Sequence, residues 1–477
     1  MPHLIGICRR QLMHLCVALA APVILCGCTG FPTESEQAAR RDVAAAAGQY
    51  RPQDAKPPLP VLTAGSDLAD LMRYALLNNP KVESAYREWA ASVEAITTAR
   101  SLPDPMLTFS AEISRGVMAL TPAIMTDPMS NWPGPGKIPL RAESAYQESQ
   151  RRRAAFENEM LSTALAIKRA YYQMWVVDQQ VRWTREMLAV VEDMEKLARQ
   201  RLAVGQVTQQ DALRAQMEQD QLQNMLASLE DSRKPVDARL RSALGVRPEA
   251  ALTPLTFRLS PSAADFTERS LLDVAFVRNP RLREMRSEVQ QAIALYQLAE
   301  KSSVPDYSFG VGANLKMTPV PIMPTAGITL PIWRDKIAAE IARGRADLQA
   351  AQARLRNEEL ELAVRFAETA FLWREADRNV ALYARQLLPK AQAALETARA
   401  GYTGGASSFL DVLEAERRLL EYRLNLASAT GQREMALAEM SLAILGRWPG
   451  GVQPVLPAQA PAATEKTHSP SRAGGDR

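Results

Sequence analysis

The sequence predicts a mainly helical protein that is built from two similar halves, each with a pair of strands and a very long helical hairpin. Three observations lead to this fold class. Two glycine turns recur at a constant spacing, apolar patterns of helical period run on both sides of each turn, and short stretches change to a period of two. A chain of 477 residues is long enough for such an elongated architecture.

The repeated turn is the central feature of the chain. The first copy reads Arg-Leu-Ala-Val-Gly-Gln-Val-Thr-Gln-Gln-Asp-Ala-Leu, and the second reads Gly-Tyr-Thr-Gly-Gly-Ala-Ser-Ser-Phe-Leu-Asp-Val-Leu. Gly205 matches Gly405 and Asp211 matches Asp411, each pair 200 residues apart (405 − 205 and 411 − 211). Glycine permits a tight turn between helices, and the helix dipole favours an acidic residue in the first turn that follows. Two such turns indicate an internal duplication.

The amino terminus has the features of a secretory signal. Basic Arg9 and Arg10 precede an apolar run over residues 12–25. The next residues, Leu-Cys-Gly-Cys, resemble the bacterial lipobox, which would make Cys28 the lipidated first residue of the mature protein. An ordinary signal peptide that happens to contain cysteines is the alternative. Thr29 follows rather than Asp, which by resemblance to that class suggests sorting to the outer membrane. We therefore assign residues 1–27 to the signal peptide and 28–65 to a lipidated linker.

The composition excludes several classes of function. The formal net charge is only +4, so neither nucleic acid nor a strongly charged partner is implied. The cysteines and histidines lie outside the periodic body, at Cys8, Cys16, Cys26, Cys28, His3, His14 and His468. No P-loop, HExxH or GxSxG motif occurs. We therefore expect no enzyme, no catalytic residue, no cofactor and no metal-ligand set. After the signal, no apolar run is long enough for a membrane helix, so any span must use strands.

The linker and the short helices come next. Residues 29–64 are polar and then proline-rich, which predicts an extended linker. A helical pattern begins near Ser66, is interrupted at Asn79-Pro80 and continues to about Ser101. The second half repeats this at Asn279-Pro280, again 200 residues later (279 − 79).

Strands are predicted where the period becomes two. Residues 107–113 and 307–315 alternate apolar and polar side chains, and both follow a Pro-Asp step (Pro103-Asp104 and Pro305-Asp306). Return strands are predicted at 326–332 and, interrupted by Pro128, at 124–132, with loops at 114–126 and 316–324. A soluble sheet gives the same pattern. Small polar residues on one face of strands in a secreted chain favour a lipid-facing and lumen-facing sheet.

Very long helices follow each strand pair, at roughly residues 139–202 and 336–400, and helices return over about 208–244 and 407–445. The second long helix carries a bulky stripe (Ile341, Leu348, Leu355, Leu362, Phe366 and Trp373). It also carries a mostly small stripe (Ala339, Ala342, Ala346, Ala350, Ala353, Leu360, Val364, Ala367 and Phe371). Two stripes predict neighbours on two sides; an antiparallel coiled coil is the alternative. The first repeat is then 66–260, the second 261–446, and a disordered tail 447–477.

With the lipobox and two sets of Asn-Pro, Pro-Asp and Gly-x5-Asp, residues 66–446 resemble the TolC family of outer-membrane efflux channels. The resemblance implies a trimer in which four strands per protomer contribute to a 12-stranded membrane β-barrel, continued by a long α-helical periplasmic tunnel. Geometry supports the trimer, because four strands cannot close a barrel. The stretches Leu-Pro-Asp-Pro-Met (102–106) and Trp-Pro-Gly-Pro-Gly-Lys (132–137) are similar to the family's heavy-metal branch. There the second motif is usually Pro-Trp-Pro-Gly-Lys, so the aromatic residue is displaced here.

The resemblance implies a passive conduit that works with a periplasmic adaptor (membrane fusion protein) and an inner-membrane RND-type pump, with metal cations as favoured cargo. It assigns Asp411, Glu414 and Asp211 to an acidic gate at the periplasmic tip, and Val204, Gly205, Gly404 and Gly405 to the adaptor contact. Helix capping is the alternative for the two aspartates, and turn chemistry is the alternative for the glycines. Met118, Met125 and Met129 suggest soft-metal contacts or flexible filler. Drug efflux or secretion, and a lipid-anchored periplasmic coiled-coil scaffold without a pore, are the alternative functions.

Overall fold

The computed structural model describes residues 31–114, 117–126, 132–204, 208–259, 268–313 and 319–443. The chain divides into two compact units. Unit 1 comprises Met1–Asp42, Val93–Tyr146 and Ala294–Ala342, and unit 2 comprises Val43–Ser92, Gln147–Ile293 and Arg343–Arg477. The predicted signal peptide, Cys28 and the tail lie outside the described residues and stay predictions.

The helices follow one another in the same order in both halves of the chain, except that the first half has an extra helix at its start and the second long helix is divided in two. Those of the first half are α1 (Glu34–Tyr50), α2 (Leu68–Asn78), α3 (Pro80–Arg100), α4 (Lys137–Ala203) and α5 (Gln209–Leu244). Those of the second half are α6 (Glu268–Arg278), α7 (Pro280–Glu300), α8 (Arg334–Leu382), α9 (Leu388–Thr403) and α10 (Phe409–Ala443). The predicted hairpins and Asn-Pro breaks are confirmed. None of the helices within the described ranges combines the length and the apolar character that a membrane crossing requires.

Each pair of short helices meets at an Asn-Pro step. The side-chain oxygen of Asn79 accepts the backbone N–H of Lys81 at 2.9 Å, and that of Asn279 accepts the N–H of Arg281 at 2.9 Å. These bonds satisfy an N–H group at the helix start that has no partner inside the helix. The amide of Asn79 also donates to the carbonyl of Ala243 at 2.9 Å, which ties the first step to the end of α5.

Four strands form one antiparallel sheet in the order β1 (Pro105–Ser114), β2 (Val117–Thr126), β3 (Tyr307–Ala313) and β4 (Ile322–Ile328). The strands predicted after the Pro-Asp steps are confirmed. The predicted return strands are wrong in position, because β2 occupies most of the first predicted loop and β4 begins inside the second. Each contains a proline, Pro122 or Pro324, which weakens a strand prediction. Proline is tolerated where its missing N–H is not needed, as on the outer strand β4.

A group of contacts in unit 1 joins the two repeats. The N–H of Trp132 donates to the carbonyl of Tyr307 at 2.6 Å, and the N–H of Tyr307 donates to the carbonyl of Trp132 at 2.9 Å. The carboxylate of Asp306 accepts from Lys137 Nζ at 2.7 Å and from the N–H of Gly134 at 2.7 Å. We call these five residues the repeat clasp.

The chemistry of the repeat clasp explains the glycine and the lysine of the motif at 132–137. A Cβ atom on Gly134 would lie 2.2 Å from the carbonyl oxygen of Pro305, so only glycine fits. Lys137 is buried, and its Nζ also donates to the carbonyl of Val304 at 2.8 Å. Burial alone would raise the pKa of Asp306, but the bonds from Lys137 and Gly134 outweigh it and lower that pKa.

The prediction of an extended linker is wrong for residues 34–50, which form α1. Alanine, the strongest helix former, is frequent in this stretch. In unit 1 the carboxylate of Glu36 accepts from Thr97 Oγ1 at 2.7 Å. In unit 2 the ring of Tyr50 makes an edge contact with that of Tyr86 at 5.2 Å. The segment therefore packs on the first repeat instead of remaining free of contacts.

The two long helices differ in how many of their residues are buried. Buried residues are spread around much of α4 and include Ala154, Phe156, Met160, Leu161, Ile167, Tyr171, Met174, Val177, Val191 and Ala198. On α8 the predicted bulky stripe is buried or half-buried, whereas the predicted small stripe is exposed throughout, including Leu360, Val364 and Phe371. The two-stripe prediction is thus confirmed on one side only within a single chain.

A π-helical turn at Tyr383–Leu387 separates α8 from α9. The N–H of Leu388 donates to the carbonyl of Tyr383, five residues back. Pro389 follows directly and has no N–H to donate to the carbonyl of Arg385. The wider turn accommodates the proline without ending the helical path.

Candidate functional site

The predicted sites lie at the two turns between long and returning helices, both in unit 2. α4 ends at Ala203 and α5 begins at Gln209, whereas α9 ends at Thr403 and α10 begins at Phe409. Gly205 lies outside the described residues, so its role stays a prediction. Its neighbour Val204 is described, and its side chain is 69% exposed.

The second turn has the glycine geometry that the sequence predicts. Gly404 ends α9, and Gly405 has φ of +78°, the left-handed region that side-chain-bearing residues avoid. The carbonyl of Gly401 accepts the N–H of Ala406 at 2.7 Å and that of Ser407 at 3.1 Å, which closes the helix end. A Cβ built on Gly405 meets no atom within 4 Å, so the turn is open on that side.

Both returning helices begin with a reciprocal cap. The carboxylate of Asp211 accepts the N–H of Thr208 at 3.2 Å, and Thr208 Oγ1 accepts the N–H of Asp211 at 3.3 Å. In the second turn the carboxylate of Asp411 accepts the N–H of Ser408 at 2.7 Å, and Ser408 Oγ accepts the N–H of Asp411 at 3.2 Å. The capping interpretation of both aspartates is therefore confirmed, and it leaves an additional role open.

Asp411 and Glu414 together present negative charge at the second turn. Hydrogen bonds from the backbone N–H and the hydroxyl of Ser408 lower the pKa of Asp411, so it is ionised at neutral pH. Both acidic side chains are exposed. Residues three apart on a helix are neighbours on its surface, so the two charges act on the same region of solvent.

Asp211 differs from Asp411 although it occupies the matching position. Its side chain is only 21% exposed, and its Oδ1 lies 3.8 Å from Arg214 Nη1. Arg214 therefore partly neutralises the negative charge of Asp211 within the same helix. Leu213, two residues further along the helix, is exposed, whereas the matching Leu413 is buried. The two returning helices thus share a reciprocal cap but present different surfaces.

The two hairpins pack against each other behind the turns. One apolar cluster joins three of the helices, with Met187, Val191 and Ala198 from α4, Ala212, Ala215 and Leu222 from α5, and Phe409, Leu413 and Leu420 from α10. Tyr402 of α9 packs on this cluster, and its ring lies 6.1 Å from that of Phe409. The helices that carry Asp211 and Asp411 in their first turns therefore share one core.

Three buried glutamates lie near these turns, and the sequence interpretation missed them. Glu218 of α5 accepts from Arg417 of α10 at 2.6 Å, which links the two repeats. Glu416 pairs with Arg399, and Glu195 pairs with Arg199. A buried carboxylate without a partner is strongly destabilising, so each arginine offsets the cost of burying its glutamate. Of the three pairs, Glu218–Arg417 is the one that joins the two hairpins.

The spacing of the duplication contains a signal for part of this arrangement. Arg199 and Arg399 are 200 residues apart (399 − 199) and each neutralises one glutamate. In the second repeat that glutamate is Glu416, on the returning helix. In the first repeat it is Glu195, on the outgoing helix, and the residue that matches Glu416 is Gln216, which donates to Glu195 at 3.1 Å. The arginine therefore has the same position in both repeats, whereas its glutamate partner lies on the outgoing helix in the first repeat and on the returning helix in the second.

The described ranges hold no group of three or more His, Cys, Asp or Glu side chains that could bind a metal ion. Met118 and Met125 lie in β2, in register with Ile113 and Met106, and Met129 lies outside the described residues. The methionine-contact interpretation stays a prediction.

Comparisons with known proteins agree with this architecture. The family described as Outer membrane efflux protein matches residues 136–246 and 271–446. The cobalt-zinc-cadmium resistance protein CzcC of Cupriavidus metallidurans is 23% identical over 384 residues, covering 78% of this chain and 87% of that protein. The outer membrane protein TolC of Vibrio cholerae is 24% identical over 415 residues, covering 79% and 90%. The crystal structure of VceC from Vibrio cholerae superposes with a TM-score of 0.67 at 18% identity, covering 80% of this chain and 95% of that one.

Proposed function

The chain belongs to the outer membrane efflux protein family and is an outer-membrane efflux channel, and we propose that it is the passive exit duct of a tripartite system. In this proposal an RND-type pump in the inner membrane supplies the energy, and a periplasmic adaptor joins pump and channel. The observation that carries the proposal is that the family match covers both helical hairpins, including both turns. Family and fold are those of channels rather than enzymes.

A homotrimer is the assembly that fits the exposed surfaces best. Leu360, Val364 and Phe371 expose apolar area on α8, and covering such area is favourable at about 25 cal/mol per Å². β1 and β4 form the two outer strands of the described sheet, and an unpaired strand edge is not viable in lipid. Three copies joined edge to edge would close the sheet with twelve strands in outer-membrane lipid. A lipid chain on Cys28 would anchor each copy.

The acidic turns are proposed as a cation-favouring constriction. Three copies of Asp411 and Glu414 around one axis would raise the local cation concentration, as acidic rings do in channels. Asp211 would contribute less, because Arg214 lies beside it.

The gate is tested by Asp411→Asn combined with Glu414→Gln in planar bilayers. Asn keeps the oxygen that caps the helix, so charge is removed without loss of the cap. We expect a clear fall in cation preference or a rise in conductance, and Asp211→Asn serves as the matched control with a smaller effect. Unchanged conductance and selectivity would remove the gate assignment.

The adaptor contact is proposed at Val204, Gly205, Gly404 and Gly405. Support comes from the exposure of Val204 and from the open space around Gly405, since a partner can approach the backbone closely there. Val204→Glu would place a charge in an apolar contact and should reduce co-purification with the cognate adaptor. Met217→Glu, at another exposed apolar residue further along α5, is the control that should leave co-purification unchanged.

Metal cations are the proposed cargo. The support is the similarity to a relative named for cobalt, zinc and cadmium resistance, together with the two proline-rich motifs at 102–106 and 132–137 that resemble the heavy-metal branch. A deletion strain should be hypersensitive to one group of metals in a panel of Cu, Ag, Zn, Co and Cd salts, and complementation should restore growth. Hypersensitivity to hydrophobic drugs and detergents alone would discard the metal cargo and keep the channel.

A further inference from the structure

We propose that neighbouring copies of this chain are joined by a second, intermolecular version of the repeat clasp, in which Asp104 of one copy pairs with Lys336 of the next. The proposal rests on the homotrimer proposed above. Its basis is the duplication, because the first repeat contacts the second within the chain, and in a ring the second repeat must contact the first repeat of another copy.

Asp104 matches Asp306 in position but lacks its partners. Each follows a proline and directly precedes a strand, β1 or β3. Asp306 receives hydrogen bonds from Lys137 and Gly134. Asp104 is exposed, and no other residue in the described part of the chain forms a hydrogen bond or an ion pair with it. The acidic residue of a second clasp is therefore exposed at the β1 side of the protomer.

Lys336 matches Lys137 in the same way. Lys137-Ile138 begins α4, and Lys336-Ile337 lies in the first turn of α8. Lys137 is buried in the clasp, whereas the side chain of Lys336 is 72% exposed. Its recorded partner is Glu340 of the same helix at 3.8 Å, an exposed pair that contributes little. The β4 side of the protomer thus carries the complementary positive charge, on Lys336.

The two junctions cannot be identical, and the difference has a physical reason. Trp132, which exchanges two backbone bonds with Tyr307, stands five residues before Lys137. Pro331 stands five residues before Lys336, and Pro105 occupies the place of Tyr307. Neither proline has an N–H group, so the backbone bonds of the clasp cannot form between copies.

A second difference lies at the position of the clasp glycine. Trp333 stands where the first repeat has Gly134, three residues before the lysine, so its side chain prevents the close approach that glycine permits. The junction between copies should therefore be more open than the junction within the chain. The ion pair would be its main polar link, and it would weaken with salt because surface ion pairs are screened.

Charge reversal provides the first test, on the full-length trimer in detergent. Asp104→Lys or Lys336→Asp alone places like charges opposite each other and should speed trimer dissociation roughly tenfold at low salt. The two substitutions combined should restore the original rate and its dependence on salt. Arg334→Asp is the matched control, with the same change of charge two residues away. Combined with Asp104→Lys it should give no restoration, and equal restoration by both would overturn the pairing.

Cross-linking provides the second test. Cells that produce one copy with Asp104→Cys and another with Lys336→Cys should yield a covalent dimer with a short bismaleimide. The background is low because no cysteine follows Cys28. Lys137→Cys with Asp306→Cys in one chain should link only within that chain. A trimer by light scattering that gives neither the covalent dimer nor the charge rescue overturns the clasp and leaves the channel assignment intact. Absence of a trimer from the unsubstituted protein overturns the proposed assembly instead.

Discussion

The two long helices have matching places in the duplicated chain, yet the first buries many more of its residues within its own chain. In unit 2, α4 buries residues such as Phe156, Ile167 and Met174 among neighbouring helices. Over the same unit α8 buries Leu362 and Phe366 but leaves a whole apolar face exposed. α1 adds further cover to the first repeat, where Tyr50 lies against Tyr86 and Phe156.

The difference teaches that a duplicated sequence does not give two equivalent halves. An internal element has neighbours on both sides, whereas a terminal element needs another molecule to supply one of them. In the proposed trimer, the apolar face of α8 would be covered by another copy of the chain. Substitutions on the two helices should accordingly separate stability from assembly.

The largest effect is expected from Leu360→Glu combined with Val364→Glu on the exposed face of α8. The added carboxylates would be buried without partners between copies, at a cost of several kcal/mol per interface. We expect the trimer to be lost in light scattering while far-ultraviolet circular dichroism stays helical. Gln352→Glu, at an exposed polar residue of the same helix, should leave the trimer intact. A trimer that survives the double substitution would contradict the assignment of this face to assembly.

A smaller effect is expected where α4 is covered within its own chain. Gly431 of α10 lies against α4, and a Cβ atom there would approach Val176 Cγ2 to 2.2 Å. Gly431→Ala should lower the free energy of unfolding by about 1–3 kcal/mol through overpacking, despite the better helix propensity of alanine. Thermal unfolding would measure it.

Gly48→Ala in α1 is the matched control, because a Cβ at that position meets no atom within 4 Å. Alanine should there be neutral or stabilise the protein by about 0.5–1 kcal/mol. Equal effects of the two substitutions would mean that the close contact between α4 and α10 contributes nothing to the difference between the repeats.

The smallest effect is expected from acid on the cover that α1 provides. Burial would raise the pKa of Glu36, but hydrogen bonds from Arg100, Thr97 and Arg40 outweigh it and hold that pKa at about 2. Because the folded pKa lies below the unfolded value of about 4.3, this stabilisation is complete above that value and is lost as the pH falls towards 2. Proteolysis of the α1 segment should accelerate over this range.

The matched variant Glu36→Gln should release the segment at neutral pH and flatten its pH dependence. A segment equally resistant in the variant and in the original protein would contradict the anchoring role of Glu36. The covering of the first repeat by α1 would then depend on the aromatic contacts of Tyr50 instead.

Periodicity predicted the helices and the turns well, because both follow from local rules. The Asn-Pro steps, the left-handed Gly405 and the caps at Asp211 and Asp411 each depend on a few neighbouring residues. The positions predicted for β2 and β4 were wrong because Pro122 and Pro324 interrupt the strand pattern in the sequence. Whether a strand tolerates a proline depends on its place in the sheet, which the local sequence does not show.

Contacts between distant residues could not be predicted from the sequence. The pairing of Glu218 with Arg417, 199 residues apart, depends on how two hairpins pack. The sequence did not predict α1 because its polar, alanine-rich residues form no single apolar stripe. Its contacts with α3, such as that between Thr97 and Glu36, are seen only in the folded chain. Local chemistry therefore gave the candidate sites, and packing decided which of them are exposed.

The π-helical turn before Pro389 affects the direction in which the end of the second hairpin faces. On α8, Leu362, Phe366, Thr369, Trp373 and Ala376 recur every three or four residues on the packed side. At the turn, the N–H of Leu388 donates to the carbonyl of Tyr383 five residues back instead of four, so this turn contains one residue more than an α-helical turn. The turn therefore acts as a one-residue insertion that the helix absorbs. Deletion of one residue from Tyr383–Leu387 would convert the wide turn into an α-helical one and leave the end of α9 facing the same way. Deletion of one residue elsewhere in α8 would rotate the following part of the hairpin by about 100° around the helix axis.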